Sequence, residues 1–301
     1  MCEMVLVTAA DKKFFVSAIS LLESLKRNSE STSAIIYNLG LSKRQEAWIK
    51  KVMPSNFKLS DLPKVTQEFE GWDDLGASGN FAWKPIILRE IALKHDEFVW
   101  ADAGTLVTRS LEDLQSALNE NGVFLLRNYD HINADWTSKD CQVIMKTTER
   151  ELSSPHLMGN FFGVSQKNVL GRKLFNEWIK WAKVPNAIQG NRLVHRHDQT
   201  ILSIIAARVE AKVFDPNGLT SIGRFKRDYH DAIESRNYFV AHRRWLGLIP
   251  INLISKRTRH VFFYLPYFAR HLIRSFAWRM KWRLRWCFIV RKLYEFRSSK
   301  K

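Results

Sequence analysis

The sequence predicts an α/β fold in which a mainly parallel sheet is covered by helices on both faces. Short apolar runs of the kind found in buried strands alternate along the chain with longer segments whose apolar residues recur at helical spacing. The chain has 301 residues, of which 46% are hydrophobic, so it can bury a large core. Small or acidic residues follow several of the apolar runs, as at the ligand-binding ends of strands in such sheets.

The elements follow from local patterns. In the first unit, the apolar run MVLVTA precedes a segment with a helical repeat that includes Phe15, Ile19 and Leu22. Ser42 is a suitable N-cap for a helix that Pro54 ends. The predicted strands are residues 4–9, 34–39, 57–62, 98–100, 122–126, 157–164, 211–214 and 238–241, and the strand over 98–100 is expected to end at Asp102. The predicted helices are residues 12–28, 42–53, 81–95, 110–119, 169–182 and 197–207.

Two segments are predicted to be loops. Residues 66–82 combine several glycines with Asp, Ser and Asn, and a long loop of this kind inside a compact domain is often functional. Residues 128–155 are polar with a weak pattern, which indicates a loop with one inserted helix.

The three cysteines are scattered without a metal-ligand spacing, so a zinc site or a disulfide framework is not expected and a reducing compartment is. The N-terminal residues lack the basic and apolar regions of a cleaved signal peptide. No run of eighteen uncharged apolar residues occurs, so no membrane-spanning helix is expected. These features predict a cytoplasmic protein.

The net charge of +17 is concentrated at the C-terminus, because residues 256–301 contain 14 Lys or Arg and only one acid, Glu295. Within this tail, Leu272, Phe276 and Leu284 belong to an apolar helical stripe, beside a stripe of tryptophans. An apolar face opposite many basic residues is typical of a helix that lies in the membrane interface. We therefore predict a domain over residues 1–255 and a basic tail over residues 256–301 that attaches the protein peripherally to the inner face of the membrane. A helix that caps the domain and a nucleic-acid-binding arm are the alternatives.

Several of the predicted strand ends carry residues suited to binding a ligand. These are residues 8–11, 102–104, 158–160 and 241–242, and in a parallel sheet they could meet at one edge. Asp102 and His242 together could bind a divalent cation that bridges a diphosphate. The chain has no phosphate-binding P-loop, no dinucleotide fingerprint GxGxxG and no GxSxG nucleophile motif.

A series of short motifs resembles those of the GT-A nucleotide-sugar glycosyltransferases, most closely the family-8-like group and its relatives with a WKP…DAG signature. The likeness covers about residues 4–245. Its motifs, in order, are VTAAD (7–11), YNLGLS (37–42), FAWKP (81–85), WADAG (100–104), MGNFFG (158–163), HDQ (197–199) and the late pair at 242–243. The resemblance implies a GT-A-like sheet and a nucleotide-sugar donor.

At the donor end, the resemblance implies that Thr8, Ala9 and Ala10 lie against the base and ribose of the donor, with Asp11 nearby. Lys84 would face the diphosphate, the alternative being a solvated lysine on its helix.

For the metal, Asp102 matches the first acid of the family's DxD motif, but the second acid is replaced by Gly104. His242 matches the late histidine that binds metal or diphosphate, and Arg243 beside it would contact phosphate. The resemblance thus implies a Mn²⁺ or Mg²⁺ site of Asp102 and His242, with metal dependence in doubt because of Gly104.

At the sugar end, Gly159 and Asn160 match the segment that lines the sugar and acceptor pocket, with strand packing as the alternative. Asp198 and Gln199 match the family's DQ pair beside the donor sugar; an ordinary acid in the first turn of a helix is the alternative. The neighbouring His195 and His197 are expected at the surface.

The implied reaction transfers a hexose from a nucleotide-sugar donor to a hydroxyl of a glycan or lipid-linked acceptor, in bacterial surface polysaccharide or lipopolysaccharide synthesis. Asp102 and Asp198 are the candidate catalytic residues. An inverting reaction would need a general base, for which Asp198 or Asp135 could serve, while the resemblance favours retention. Two rival functions stay open at this point: a catalytically inactive GT-A-like module that binds a glycan or a partner, favoured by Gly104, and a nucleic-acid-binding protein.

Overall fold

The computed structural model describes residues 4–62, 81–191, 193–223 and 239–242, with only the backbone for Val52, 221–223 and 239–242. Its strands are β1 Val5–Ala10, β2 Ser33–Asn38, β3 Phe57–Asp61, β4 Glu97–Ala101, β5 Thr105–Val107, β6 Val123–Ile132, β7 Pro155–Leu157, β8 Phe161–Ser165, β9 Val213–Phe214, β10 Thr220–Gly223 and β11 Phe239–His242. Its α-helices are α1 Phe15–Asn28, α2 Lys43–Val52, α3 Trp83–Ala92, α4 Leu114–Asn121, α5 Lys139–Met145, α6 Glu149–Ser153, α7 Val169–Ala182, α8 Pro185–Ile188 and α9 Asp198–Arg208.

The central sheet has the strand order β3-β2-β1-β4-β8-β6-β7, with β9 beside β6. The strands from β3 to β4 are parallel neighbours, whereas β8 runs antiparallel to both β4 and β6. Strand β6 therefore points the same way as β4, and so does β9, while β7 is reversed. The mainly parallel α/β sheet flanked by helices is confirmed and is consistent with a GT-A-like fold. A smaller sheet has the order β10-β11-β5.

One large hydrophobic core joins the sheet to helices α3, α7 and α9. From β4 it contains Phe98 and Trp100, which are fully buried, and from α7 it contains Phe175 and Trp178. Phe98 meets Phe175 edge to face, with 5.2 Å between ring centroids. Helix α1 is outside this core cluster and packs on β1 and β5, where Asn28 donates to the carbonyl of Val107. Because β4 is buried along its whole length, it is a rigid support for the residues that follow it.

Local sequence explains where several helices begin. Ser42 and Gln45 form a capping box at the start of α2, as the sequence predicts for Ser42. Asn168 caps α7 by accepting from the amides of Leu170 and Gly171. These caps satisfy backbone amides that have no partner within the helix.

Several predictions about elements are wrong in detail. The strand predicted over 157–164 is two strands, β7 and β8, separated at Met158–Asn160. The strand predicted over 122–126 continues to Ile132 because β7 pairs with its second half. The loop predicted over 128–155 contains two helices, α5 and α6, and β5 was not predicted at all. The strands at 211–214 and 238–241 exist with bounds shifted by one or two residues.

The glycine-rich loop at 66–82 falls mostly on residues 63–80, which are outside the described part. The tail over 256–301 lies outside it entirely, so the division at residue 255 stays a prediction. Within the described ranges, no helix combines the length and apolar character needed to cross a bilayer.

Candidate active site

The candidate site lies at the edge of the sheet where β1 and β4 end. Asp102 follows β4, and its amide donates to the carbonyl of Asn160 at 2.8 Å, in the break between β7 and β8. The indole Nε1 of Trp100 donates to Asp102 Oδ1 at 2.7 Å. The Asp102 side chain nevertheless remains 44% exposed. Asp102 is therefore fixed through one oxygen and open to solvent.

Lys84, in the first turn of α3, is the centre of the site. Its Nζ lies 3.0 Å from the carbonyl oxygen of Gly159 and 3.3 Å from both Asp102 Oδ1 and Asp198 Oδ2. The three acceptors equal the number of N–H donors on an ammonium group. Lys84 is only 4% exposed, so the solvated-lysine alternative is wrong. Burial favours the neutral amine, but the two carboxylates outweigh it and raise the pKa of Lys84.

Asp198 is the first residue of α9 and is 4% exposed. Burial raises its pKa to about 6 from an ordinary value of 3.8; Lys84 acts in the opposite direction and the charge of Asp102 adds to the rise. Its backbone carbonyl accepts a hydrogen bond from Trp178 Nε1 at 3.0 Å. The packing of α7 against α9 thus fixes the backbone from which Asp198 reaches Lys84.

His197, immediately before Asp198, has an unusual backbone conformation with φ 51° and ψ −121°. Glycine adopts this region readily, whereas other residues are strained in it. Its side chain is held by a 2.9 Å contact from Nδ1 to the carbonyl of Ile188 and by the rings of Phe81 and His195. The surface positions predicted for His195 and His197 are wrong, because they are 0% and 2% exposed. Their rings form the packing that holds the strained backbone.

The Gln199 side chain packs closely against the turn between β7 and β8 that contains Gly159. Gln199 Nε2 donates to the carbonyl of Leu157 at 2.6 Å. A Cβ atom on Gly159 would be 3.1 Å from the Gln199 side chain, so the chain passes this residue closely. Gly159 and Asn160 also supply the carbonyl oxygens that meet Lys84 and the Asp102 amide. This arrangement fixes the turn between β7 and β8 beneath the site.

The end of β1 is at the same edge, because Val7 pairs with Trp100 in the parallel sheet. Thr8, Ala9 and Ala10 are all buried. Asp11 Oδ1 accepts from the amides of Lys13 and Phe14, at 2.8 and 2.9 Å, in the turn that leads into α1. The structure therefore places this predicted donor segment beside Asp102, with Asp11 stabilising a turn.

His242 is the last residue of β11, and its neighbour Ala241 pairs with Thr105 of β5. The antiparallel register brings the backbone of His242 beside Gly104, two residues from Asp102. The side chain of His242 is not described, and Arg243 lies outside the described residues. Asp135 has other partners: its Oδ2 accepts from the amide of Ile132 and lies 3.5 Å from His131 Nδ1.

The described residues alone do not fit a divalent cation. Asp102 Oδ1 is occupied by Trp100 and lies 3.3 Å from an ammonium, which leaves Oδ2 as its available oxygen. Across the described ranges, no group of three or more His, Cys, Asp or Glu side chains is arranged to hold a metal ion. A cation here would need further ligands from a substrate or from His242.

The sequence reasoning missed two supports of the site, Trp100 and Trp178. A signal for Trp100 was present, because residues two apart on a strand point to the same side, and Trp100 precedes Asp102 by two. No local pattern pointed to Trp178, whose partner lies on another helix.

No protein-family model matches the chain, and no curated protein matches it by sequence. A solved structure described as the apo structure of WbbM, a bifunctional glycosyltransferase, is similar with a TM-score of 0.51 and 13% identity. The similarity covers 79% of this chain and 45% of that chain, so this chain spans less than half of that protein's length. At 13% identity the similarity establishes the fold alone.

The strain at His197 predicts an unusual order of stability. His197→Ala and His197→Gly remove the same ring, but only the glycine relieves the positive φ. We expect the Gly variant to be more stable than the Ala variant by about 1 kcal/mol or more, measured by urea unfolding. At ordinary positions alanine is the more stable of the two. An Ala variant as stable as the Gly variant would show that His197 is not strained.

The buried Asp198 predicts a pH dependence of stability. Its pKa is raised in the folded state, so between pH 4 and 6 the folded protein binds a proton that the unfolded chain does not. The contribution of Asp198 therefore stabilises the fold as the pH falls from 7 to 4, by about 3 kcal/mol at most. The unfolding free energy of the wild type minus that of Asp198→Asn should therefore increase as the pH falls from 7 to 4. The exposed Asp140→Asn serves as the control, and a difference that does not change with pH contradicts the assignment.

Proposed function

We propose that the protein is a glycosyltransferase that moves a hexose from a nucleotide-sugar donor to a hydroxyl of a glycan or lipid-linked acceptor. One observation carries the proposal: a buried lysine joins two carboxylates, of which one is exposed, at the ligand-binding edge of an α/β sheet. The similarity in fold to a bifunctional glycosyltransferase supports the same reaction class. The proposed pathway is the assembly of bacterial surface polysaccharide or lipopolysaccharide.

In the proposed reaction the acceptor oxygen forms a bond to the anomeric carbon of the donor, and the bond from that carbon to the diphosphate oxygen breaks. The proton of the hydroxyl passes to a base, and the nucleoside diphosphate leaves with the bonding electrons. Asp102 is the carboxylate of the cluster that solvent and substrate can reach. Asp198 is held behind it on Lys84, so we assign it the role of fixing the lysine.

Lys84 is assigned a positioning role in place of direct contact with the diphosphate. Its three donors face Gly159, Asp102 and Asp198, and little of it is exposed. The ammonium and the two ionised carboxylates carry a net charge of −1, which opposes the approach of a diphosphate. We therefore propose that further positive charge acts at this edge, from Mn²⁺ or Mg²⁺ bound with the donor or from basic residues such as Arg243. Assays with EDTA and with each metal separate these sources.

A second candidate function is an inactive GT-A-like module that binds a glycan or a partner enzyme. It is favoured by the engaged oxygen of Asp102 and by Gly104 at the position of a second acid. Turnover separates the two functions: a screen of UDP- and GDP-sugars for release of the nucleoside diphosphate gives none for a binding module. The tail over 256–301, peripheral membrane attachment and the cytoplasmic side remain part of the proposal.

The exposed carboxylate predicts the main functional variant. Asp102→Asn keeps the shape and the contact with Trp100 but removes the charge. We expect donor turnover to fall about 100-fold or more, because an amide can neither take the proton of the acceptor hydroxyl nor help to hold a cation that binds with the donor, while circular dichroism and the melting temperature stay close to wild type.

Asp61→Asn is the matched control, because Asp61 is an exposed acid that ends β3 at the same edge of the sheet. It should retain full turnover. An Asp102→Asn protein as active as this control would remove Asp102 from the site.

A further inference from the structure

Exposed apolar side chains are unevenly distributed over the described residues. Seven large ones are exposed, and five of them occur in two short segments: Ile132, Val143 and Ile144 in one, and Leu193 and Val194 in the other. Leu193 is 80% exposed and Val143 is 76% exposed. Scattered single apolar residues are ordinary on a protein surface, whereas a group of this kind marks an interaction surface. These five residues are called the apolar rim below.

The two segments of the apolar rim adjoin each other. The amide of Ser138, which caps α5, donates to His195 Nδ1 at 3.4 Å, and the amide of Arg196 donates to the carbonyl of Trp136 at 3.3 Å. The Arg196 guanidinium also stacks on the Trp136 ring, 3.9 Å from its centroid. Leu193 and Val194 are in a turn closed by a hydrogen bond from the Val194 amide to the Asn191 carbonyl.

The apolar rim is at the edge of the sheet that carries the candidate site. Ile132 ends β6, which points the same way as β4, and the turn with Leu193 leads directly into Asp198. The two remaining exposed apolar residues are at the opposite edge. Leu93 precedes β4, and Val169 follows β8, whose last residue pairs with the first residue of β4. Exposed apolar surface is thus concentrated around the site.

The charge of the same region indicates what the apolar rim binds. Residues 183–197, beside Leu193 and Val194, contain three basic residues and no acid. Residues 128–147, around the other segment, contain three acids and two lysines, so the two segments together carry a net charge of +2. Exposed leucine and valine with basic neighbours suit an anionic lipid surface, where apolar side chains enter the acyl boundary and each cation gains about 1 kcal/mol near the headgroups. Self-association of the protein through the same residues is a different outcome of the test below.

We propose that the apolar rim inserts into an anionic lipid surface and so holds the site edge against the membrane. The proposed insertion rests on the proposed function, because it implies that the acceptor of the transfer reaction is presented at a bilayer. It is separate from the predicted attachment by the tail, because it sets which edge of the domain faces the lipid.

The experiment uses full-length protein with Cys2 and Cys287 replaced by Ser, Cys141 being buried. An environment-sensitive dye is attached to Leu193→Cys and, as matched control, to Leu93→Cys, which is 81% exposed at the opposite edge. Vesicles contain phosphatidylglycerol and phosphatidylethanolamine, with or without a nitroxide quencher in the acyl region. We expect a blue shift and quenching at position 193 and neither at position 93. The proposal is overturned if the two dyes behave alike or if the dye at position 193 does not respond to vesicles. It is also overturned if the dye at position 193 shifts without vesicles, because that shift would report self-association.

Vesicle binding by a second pair of variants tests the insertion independently. Leu193→Glu should weaken binding to the same vesicles by roughly tenfold, from the loss of one inserted apolar side chain, and Leu93→Glu should leave it unchanged. Release of nucleoside diphosphate from a soluble donor should be the same in both variants, because neither residue is in the site. Unchanged vesicle binding by Leu193→Glu overturns this proposal alone, whereas absence of donor turnover in wild type would overturn the proposed function.

Discussion

The site depends on the interaction of one buried ammonium with two carboxylates. Lys84 joins Asp102, which follows β4, to Asp198, which begins α9, and also contacts the turn between β7 and β8. A buried ion pair adds little to stability when it replaces apolar contacts, because removing its charges from water costs free energy. Breaking one is expensive, since the remaining charge stays buried without a partner. The lysine therefore determines geometry: it keeps three separate segments in register at the edge of the sheet.

The surrounding structure supplies the rigidity that this arrangement needs. Strand β4 is buried throughout, Trp178 holds the first turn of α9, and the rings around His197 keep its backbone in a strained conformation. Strain of this kind persists only where packing enforces it, and it is concentrated at functional sites. The Asp102 side chain is 44% exposed, whereas Asp198, which binds the same lysine, is almost fully buried. Asp102 is thus accessible to a substrate, while Asp198 serves as the buried counter-ion of Lys84.

The sequence predicted what depends on local pattern. The alternation of strands and helices, the cap at Ser42 and the strand that ends at Asp102 all follow from nearby residues. The extension of β6 and the short strand β5 depend on pairing with distant segments, β7 and β11, so no local pattern revealed them. The burial of Lys84 was missed for the same reason: a helical lysine looks solvated until two acids from distant parts of the chain are seen beside it. His195 and His197 were assigned to the surface because they precede a helix in a polar stretch, yet their packing on each other and on α8 buries them.

A double-mutant cycle between Lys84→Met and Asp198→Asn, read as unfolding free energies at pH 7, tests this account most directly. Lys84→Met alone should cost about 3–5 kcal/mol, because it leaves Asp198 buried without its counter-ion. The double variant removes both charges, so its cost should be smaller than the sum of the single costs by more than about 1 kcal/mol. Costs that add to within about 0.5 kcal/mol would mean that the two groups do not act as a unit, and would contradict the account.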